Sequence, residues 1–175
     1  MNLCVYAGTF NPIHIAHLAV ARYVKDKINA EKILFIPAYD PPHRENGIVD
    51  PHHRLNMVKL AIEDNTFFEV SDIEFHLQGT SYTFNTIKKL YEILPIDGKI
   101  KFIIGSDAFE KIDSWYKVEK LIELVKFVVV PREKNFDFEN LSEKIVLKNI
   151  DYIFINAPFV YISSKLIRQK LAQGK

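Results

Sequence analysis

The chain is poor in cysteine, in net charge and in long apolar runs, and each shortage excludes a class of protein. Its only cysteine, Cys4, can form neither an intramolecular disulfide nor a cysteine-cluster zinc site. The formal net charge of +1 provides no overall field that would attract a nucleic acid or an anionic membrane. No apolar stretch approaches the roughly 20 residues of a membrane helix. These features predict a soluble, cytoplasmic protein without nucleic-acid or membrane partners.

Hydrophobic residues make up 48% of the 175 residues, which is enough apolar material for one core and predicts a single domain over residues 1–175. Short apolar runs alternate with amphipathic segments. The predicted strands are residues 3–7, 33–37, 102–105, 127–130 and 152–156. The predicted helices are residues 15–28, 53–62, 82–94, 118–124, 141–147 and 164–173. This alternation favours the α/β class, with a doubly wound, Rossmann-like sheet that is mainly parallel and has helices on both faces.

The segment after the first predicted strand carries the strongest chemical signal. Gly8 and Thr9 leave the strand where backbone amides can bind an anion. His14 and His17 stand three residues apart, so at the start of a helix they share a face and can donate to one phosphate group. The alternatives are two surface histidines or a metal site, although zinc usually needs a third protein ligand. The GxxxxGKS and GxGxxG patterns are absent, which argues against a P-loop and a classical dinucleotide fingerprint.

Residues 8–17, GTFNPIHIAH, resemble the signature of the nucleotidylyltransferase superfamily. The whole chain is similar to the bacterial nicotinate-nucleotide adenylyltransferases. The resemblance implies transfer of AMP from ATP to nicotinate mononucleotide, which gives nicotinate adenine dinucleotide and pyrophosphate in NAD biosynthesis. It also implies catalytic roles for His14, His17 and Arg168, and a Mg²⁺ ion that binds together with the ATP phosphates.

Four further segments carry the resemblance: PPHR at 41–44, GTSYTFNT at 79–86, GSD at 105–107 and ISSKLIR at 162–168. The implied ATP-binding residues are Gly8, Thr9, Phe10, His14, His17, Gly105, Asp107, Ile162, Ser163, Ser164 and Arg168. The implied residues for the mononucleotide are Arg44, Tyr82, Thr83, Trp115 and Tyr116. Among these, Trp115 would stack on the pyridine ring, with Tyr116 and backbone donors near Thr83 at the nicotinate carboxylate.

The residues taken alone leave alternative roles open. Asp107 can cap a helix instead of binding ribose hydroxyls, and Trp115 can belong to the core. Ser81 and Thr83 can cap the helix that follows them, and Ser163 or Ser164 can cap the last helix. PPHR can be a proline-stiffened surface turn with a solvated cation at Arg44. An oligomer of identical chains also stays open, because a pattern cannot separate an exposed apolar face from a core face.

The chain departs from the family pattern at five positions: Asn11 for Asp, Ala16 for Gly, Lys165 for Thr, His76 for Arg and Asn85 for Asp. These changes leave the reaction class in place and bear on rate and on substrate preference. The alternatives are therefore an adenylyltransferase that prefers nicotinamide mononucleotide or another phosphate acceptor, and a nucleotide-binding regulator without turnover. Asn11 and Ala16 motivate the regulator, because they change the segment next to the predicted triphosphate site.

Overall fold

Runs of β-branched and aromatic residues form six strands, and the segments between them form helices. The computed structural model describes residues 1–43 and 46–175, so the predicted phosphate-binding Arg44 lies outside the described residues. The strands are β1 Cys4–Gly8, β2 Ile33–Pro37, β3 Phe68–Val70, β4 Ile100–Gly105, β5 Val125–Val130 and β6 Tyr152–Phe154. The helices are α1 Ile15–Lys27, α2 Pro51–Ile62, α3 Thr83–Ile93, α4 Ser106–Phe109, α5 Val118–Leu124, α6 Phe138–Lys144 and α7 Ser164–Ala172, with 3-10 helices at Ile73–His76 and Ile112–Ser114.

The six strands form one parallel sheet in the order β3-β2-β1-β4-β5-β6. Successive strands are added outward from β1 towards β3 and then from β4 towards β6, so the direction reverses between β1 and β4. The prediction of a mainly parallel, Rossmann-like doubly wound sheet is confirmed. In such sheets the crevice at the carboxyl ends of the strands, at the point of reversal, is where ligands bind.

Helices cover both faces of the sheet, as the alternating pattern predicts. On one face α1 and α2 bring Val24 and Val58 into an apolar cluster with Phe35 of β2. On the other face α3 and α5 bring Ile87 and Leu121 into a second cluster against β4 and β5. All five side chains are 0% exposed. Burial on both faces explains why the central strands are almost uninterrupted apolar runs.

The main difference from the predicted elements is β3, which the sequence pattern did not reveal. It has three residues, lies at the sheet edge and exposes Glu69, so it is too short to show a periodic pattern. Two helices also begin earlier than predicted, because Asp50 and Asp137 cap α2 and α6 with their side chains.

No described helix is long and apolar enough to span a membrane. The single domain over residues 1–175 stays a prediction.

Candidate active site

A cavity of about 680 Å³ lies where β1, β4 and β5 reach their carboxyl ends. Its wall combines the loop after β1, the start of α1, residues that follow β4 and β5, and the start of α7. Ten of the eleven residues predicted to bind ATP line this cavity: Gly8, Thr9, Phe10, His14, His17, Asp107, Ile162, Ser163, Ser164 and Arg168. The structure thus brings together residues that are more than 150 positions apart in the chain.

The two histidines stand side by side at the start of α1. Their rings are stacked, with centroids 3.7 Å apart and an interplanar angle of 25°. The backbone N–H of His14, the residue that precedes α1, donates to His17 Nδ1 at 3.2 Å. Because His17 Nδ1 is the acceptor, the neutral ring carries its proton on Nε2. His14 Nδ1 is buried and has no hydrogen-bond partner among the residues that the structure describes.

Both histidines are held in the neutral form. Burial lowers the pKa of His14 from 6.5 to about 4, and the nearby Arg132 guanidinium adds to the shift. Burial also lowers the pKa of His17 to about 3, with further contributions from His14 and then from Arg132. Near pH 7 each imidazole therefore offers one N–H donor without carrying a charge.

Helix α7 is attached to the loop after β1 by polar contacts. Ser164 Oγ donates to Pro12 O at 2.7 Å, and Arg168 Nη1 donates to Asn11 O at 2.7 Å. Ser163 caps the helix, because its Oγ accepts a hydrogen bond from the backbone N–H three residues later at 3.1 Å. Of the two serines proposed as caps, Ser163 has that role and Ser164 joins the helix to the loop. No side chain of α7 is buried, so these contacts set its position at the cavity.

Arg132 is a cavity residue that the sequence interpretation missed. It follows β5 directly after Pro131, and its Nε lies 3.4 Å from Asp107 Oδ1. A Cβ atom at Gly105 would collide with both side chains, so a glycine at the end of β4 leaves room for the ion pair. Asp107 lies inside α4 and Gly105 precedes this helix, which makes the alternative cap role of Asp107 wrong. The sequence did contain one indication of Arg132, which is a cation placed just after a central strand, where the predicted site lies.

Of the residues predicted to bind the mononucleotide, Tyr82 and Thr83 lie at the start of α3, while Trp115 and Tyr116 follow the 3-10 helix Ile112–Ser114. None of these four lines the cavity. The rings of Tyr82 and Tyr116 are stacked, with centroids 4.4 Å apart. Thr83 is the first residue of α3, and Tyr82 precedes it without a side-chain capping bond. The alternative that Ser81 or Thr83 caps this helix is wrong, because Tyr82 holds the capping position. Ser81 Oγ instead accepts the backbone N–H of Asp40 at 2.8 Å.

Trp115 is half-buried beside this tyrosine pair and contacts the core. Its ring meets Phe102 and Phe127 edge-on, with centroids 6.4 and 6.5 Å apart. The alternative of a core role thus holds for the buried part of Trp115, and stacking on a pyridine ring stays a prediction. The predicted cation of the same subsite, Arg44, lies outside the described residues.

Arg54 is a second residue that the sequence interpretation missed. Its side chain is 0% exposed, and it holds the loops after β1 and β2 together. The guanidinium donates to four carbonyl oxygens: Thr9 O at 2.8 Å, Ala38 O at 2.6 Å, Tyr39 O at 3.3 Å and Val49 O at 2.9 Å. Arg54 therefore fixes both ends of the long loop between β2 and α2, which carries the PPHR segment.

Asn11 contributes to the same arrangement. Its side chain is 4% exposed, donates to Gly47 O at 3.2 Å and accepts from the backbone N–H of Val49 at 3.0 Å. The amide uses both its donor and its acceptor in the loop. The change from the family's usual Asp therefore bears on the attachment of this loop, and it gives no support to a loss of turnover.

Comparison with known proteins agrees with this geometry. The cytidylyltransferase-like family model matches residues 5–170. A probable nicotinate-nucleotide adenylyltransferase from Caldicellulosiruptor bescii is 38% identical over 180 residues, covering 100% of this chain and 89% of the relative. A protein with the same name from Staphylococcus haemolyticus is 38% identical over 170 residues, covering 97% of this chain and 83% of the relative.

Solved structures of nicotinic acid mononucleotide adenylyltransferases also resemble this chain. Plasmodium falciparum nicotinic acid mononucleotide adenylyltransferase complexed with NaAD has a TM-score of 0.79 and 27% sequence identity to this chain. The match covers 97% of this chain and 83% of that chain. The Plasmodium falciparum enzyme complexed with APC has a TM-score of 0.76 and 26% identity, with the same coverage of both chains.

Proposed function

The chain belongs to the nicotinate-nucleotide adenylyltransferases, and on that premise we propose how its residues transfer AMP from ATP to nicotinate mononucleotide. The products of this transfer are NaAD and pyrophosphate. One observation carries the assignment of the site: the cavity at the reversal of strand order has His14, His17 and the start of α7 in its wall.

The attacking group is the 5′-phosphate of the mononucleotide. Because the second pKa of a phosphate monoester is about 6, this phosphate is mostly dianionic at neutral pH. The reaction therefore needs no strong general base from the protein. Catalysis comes from aligning the two phosphates and from stabilising the negative charge on the α-phosphate of ATP in the transition state.

Different cavity residues bind different phosphates of ATP. His17 donates from Nε2 to the reacting α-phosphate, and His14 donates to an adjacent phosphate. Ser164 and Arg168 bind the β- and γ-phosphates at the start of α7, where free backbone N–H groups also favour an anion. Neutral imidazoles suit this role, because they donate without the cost of a buried charge before ATP arrives, and the anionic phosphates then favour their protonation.

The remaining cavity residues position the nucleoside and contribute charge. Asp107 accepts hydrogen bonds from the ribose hydroxyls, since an ionised carboxylate is only an acceptor. Arg132 adds a cation that can leave Asp107 for a phosphate, because a partly exposed ion pair is weakly held. The proposed nicotinate subsite is the stacked tyrosine pair, Tyr82 and Tyr116, with Thr83 at the carboxylate and Trp115 at the pyridine ring. Arg44 adds supporting charge.

We propose Mg²⁺ as the cofactor that enters with ATP. Among the described residues no cluster of three or more His, Cys, Asp or Glu could hold a metal ion, and Asp107 is the one carboxylate in the described cavity wall. This donor set fits a magnesium ion held mainly by phosphate oxygens and water. When bound, it would neutralise phosphate charge, while the side chains named above orient the nucleotide.

The proposed partners are the small molecules ATP and nicotinate mononucleotide, without a nucleic acid or a membrane. We propose the cytoplasm as the location, because a free, buried thiol at Cys4 suits a reducing compartment. An oligomer of identical chains stays a prediction.

Pyrophosphate release tests the proposed function. The protein is incubated with ATP and Mg²⁺ and with either nicotinate or nicotinamide mononucleotide. We expect pyrophosphate release when ATP and nicotinate mononucleotide are both present. Release should be slower with nicotinamide mononucleotide, because the subsite at the start of α3 suits a carboxylate. Equal or faster release with the amide would contradict the carboxylate assignment. No release with either acceptor, despite ATP binding, would favour a nucleotide-binding regulator.

A further inference from the structure

Tyr6 lies on β1, two residues before the strand ends, and it lines the ATP cavity. The residue is 3% exposed. Its ring is fixed by Phe10, Phe35 and His17, with centroids 5.7, 5.6 and 6.0 Å away. The ring therefore has little freedom, and it lies beside the ring of His17, the histidine assigned to the α-phosphate.

The hydroxyl is not explained by packing. Its oxygen is buried and has no hydrogen-bond partner among the described residues. Burial raises the pKa of Tyr6 above 10.0 and the Asp107 carboxylate adds to this rise, while the nearby Arg132 guanidinium opposes it without making a well-oriented hydrogen bond to the hydroxyl. An unpartnered buried hydroxyl costs free energy, and a phenylalanine would fill the same space without that cost. Since the phenol stays protonated, its O–H group can donate a hydrogen bond to an acceptor that enters the cavity.

The Arg132 guanidinium lies next to this donor, and its own ion pair is partly exposed. Arg132 pairs with Asp107 while their side chains are 42% and 70% exposed, so the pair is weakly held. An anionic ligand in the cavity competes with Asp107 for the guanidinium. Movement of Arg132 towards that ligand would open the approach to the hydroxyl between Arg132 and His17, two groups suited to phosphate.

Building on the function proposed above, we propose that Tyr6 is a further nucleotide-binding residue whose hydroxyl donates a hydrogen bond to a phosphate oxygen of bound ATP. The proposed acceptor is a phosphate rather than the nucleoside, because the donor His17 and the cation Arg132 lie beside Tyr6, while the nearby Asp107 carboxylate is paired with Arg132. Tyr6 adds affinity that the histidines and α7 do not supply.

The test is calorimetric titration of wild-type protein and Tyr6→Phe with ATP, AMP and adenosine, without the mononucleotide. A hydrogen bond to a charged acceptor predicts that Tyr6→Phe binds ATP and AMP about 10- to 100-fold more weakly. Adenosine binding should stay unchanged, and the melting temperature should not fall. Tyr91→Phe is the matched control, because the Tyr91 hydroxyl lies 2.7 and 2.8 Å from Gly98 O and Leu124 O, which share its one proton, away from the cavity. It should lower the melting temperature and leave ATP affinity unchanged.

An Arg132→Ala background separates a direct contact of Tyr6 with phosphate from an effect through Arg132. The loss caused by Tyr6→Phe should persist in an Arg132→Ala background, and its disappearance there would overturn the direct contact. An equal loss for adenosine would overturn the phosphate assignment. Unchanged ATP binding by Tyr6→Phe, with normal wild-type binding, would overturn this proposal alone. A wild-type protein that does not bind ATP would overturn the proposed function together with it.

Discussion

Replacing Arg54 by methionine removes the donor that four loop carbonyls share. The guanidinium is fully buried and holds the loop after β1 to both ends of the loop between β2 and α2. Methionine fills much of the same space but leaves those carbonyls without a donor. An unsatisfied buried acceptor costs about 1–3 kcal/mol, so with four carbonyls affected we expect a loss of about 3–5 kcal/mol after the loops relax. This is a large part of the roughly 5–15 kcal/mol that stabilises a typical domain.

The assay is thermal and urea unfolding of Arg54→Met beside wild-type protein. At roughly 2–4 °C per kcal/mol for a chain of this length, the melting temperature should fall by about 6–20 °C. Arg22→Met is the matched control, since Arg22 is exposed on α1, and it should leave the melting temperature almost unchanged. An Arg54→Met protein as stable as wild type would refute the role of these hydrogen bonds in holding the loops.

Three further predictions concern the same region. Asn11→Asp should lower the free energy of unfolding by about 1–3 kcal/mol in urea, because a carboxylate cannot donate to Gly47 O; an unchanged value would contradict this. Ser163→Ala should cost about 0.5–2 kcal/mol of α7 stability and speed amide exchange in that helix, and equal exchange rates would remove its capping role. Stability should fall as the pH falls from 6.5 towards about 4, because the unfolded chain protonates His14 and His17 while the folded chain does not. His17→Asn should show a shallower dependence, and an identical slope would argue against this cause.

The long, fully buried strands could be predicted from the sequence because burial on both faces leaves an uninterrupted apolar run. β5 shows this well, since four of its six residues form the run Phe127–Val130 that the pattern identified. The edge strand β3 could not be predicted, because its three residues include the exposed Glu69. The pairing of β1 with β4 depends on contacts between segments almost 100 residues apart, which no local pattern contains.

Some residues of the candidate site could likewise be predicted from the sequence, and others could not. His14 and His17 were found because three-residue spacing at a helix start is a local feature. Arg54 was missed because its partners are backbone carbonyls, which any sequence would provide, and only the fold brings them together. Arg132 was missed because its importance comes from lying beside Asp107, which belongs to a different strand end. Side-chain motifs are thus visible in the sequence, whereas partners supplied by the backbone or by another strand are not.

The measurement that tests the central claim most directly is the rate of NaAD formation from ATP and nicotinate mononucleotide, compared between wild-type protein and His17→Ala. We expect the wild-type protein to form NaAD. The rate should be about 100- to 1,000-fold lower for the variant, as expected when a donor to the transition-state charge is lost. Circular dichroism should show that the variant is folded. A folded His17→Ala protein that forms NaAD at a near-wild-type rate would contradict the claim that this cavity carries the transfer.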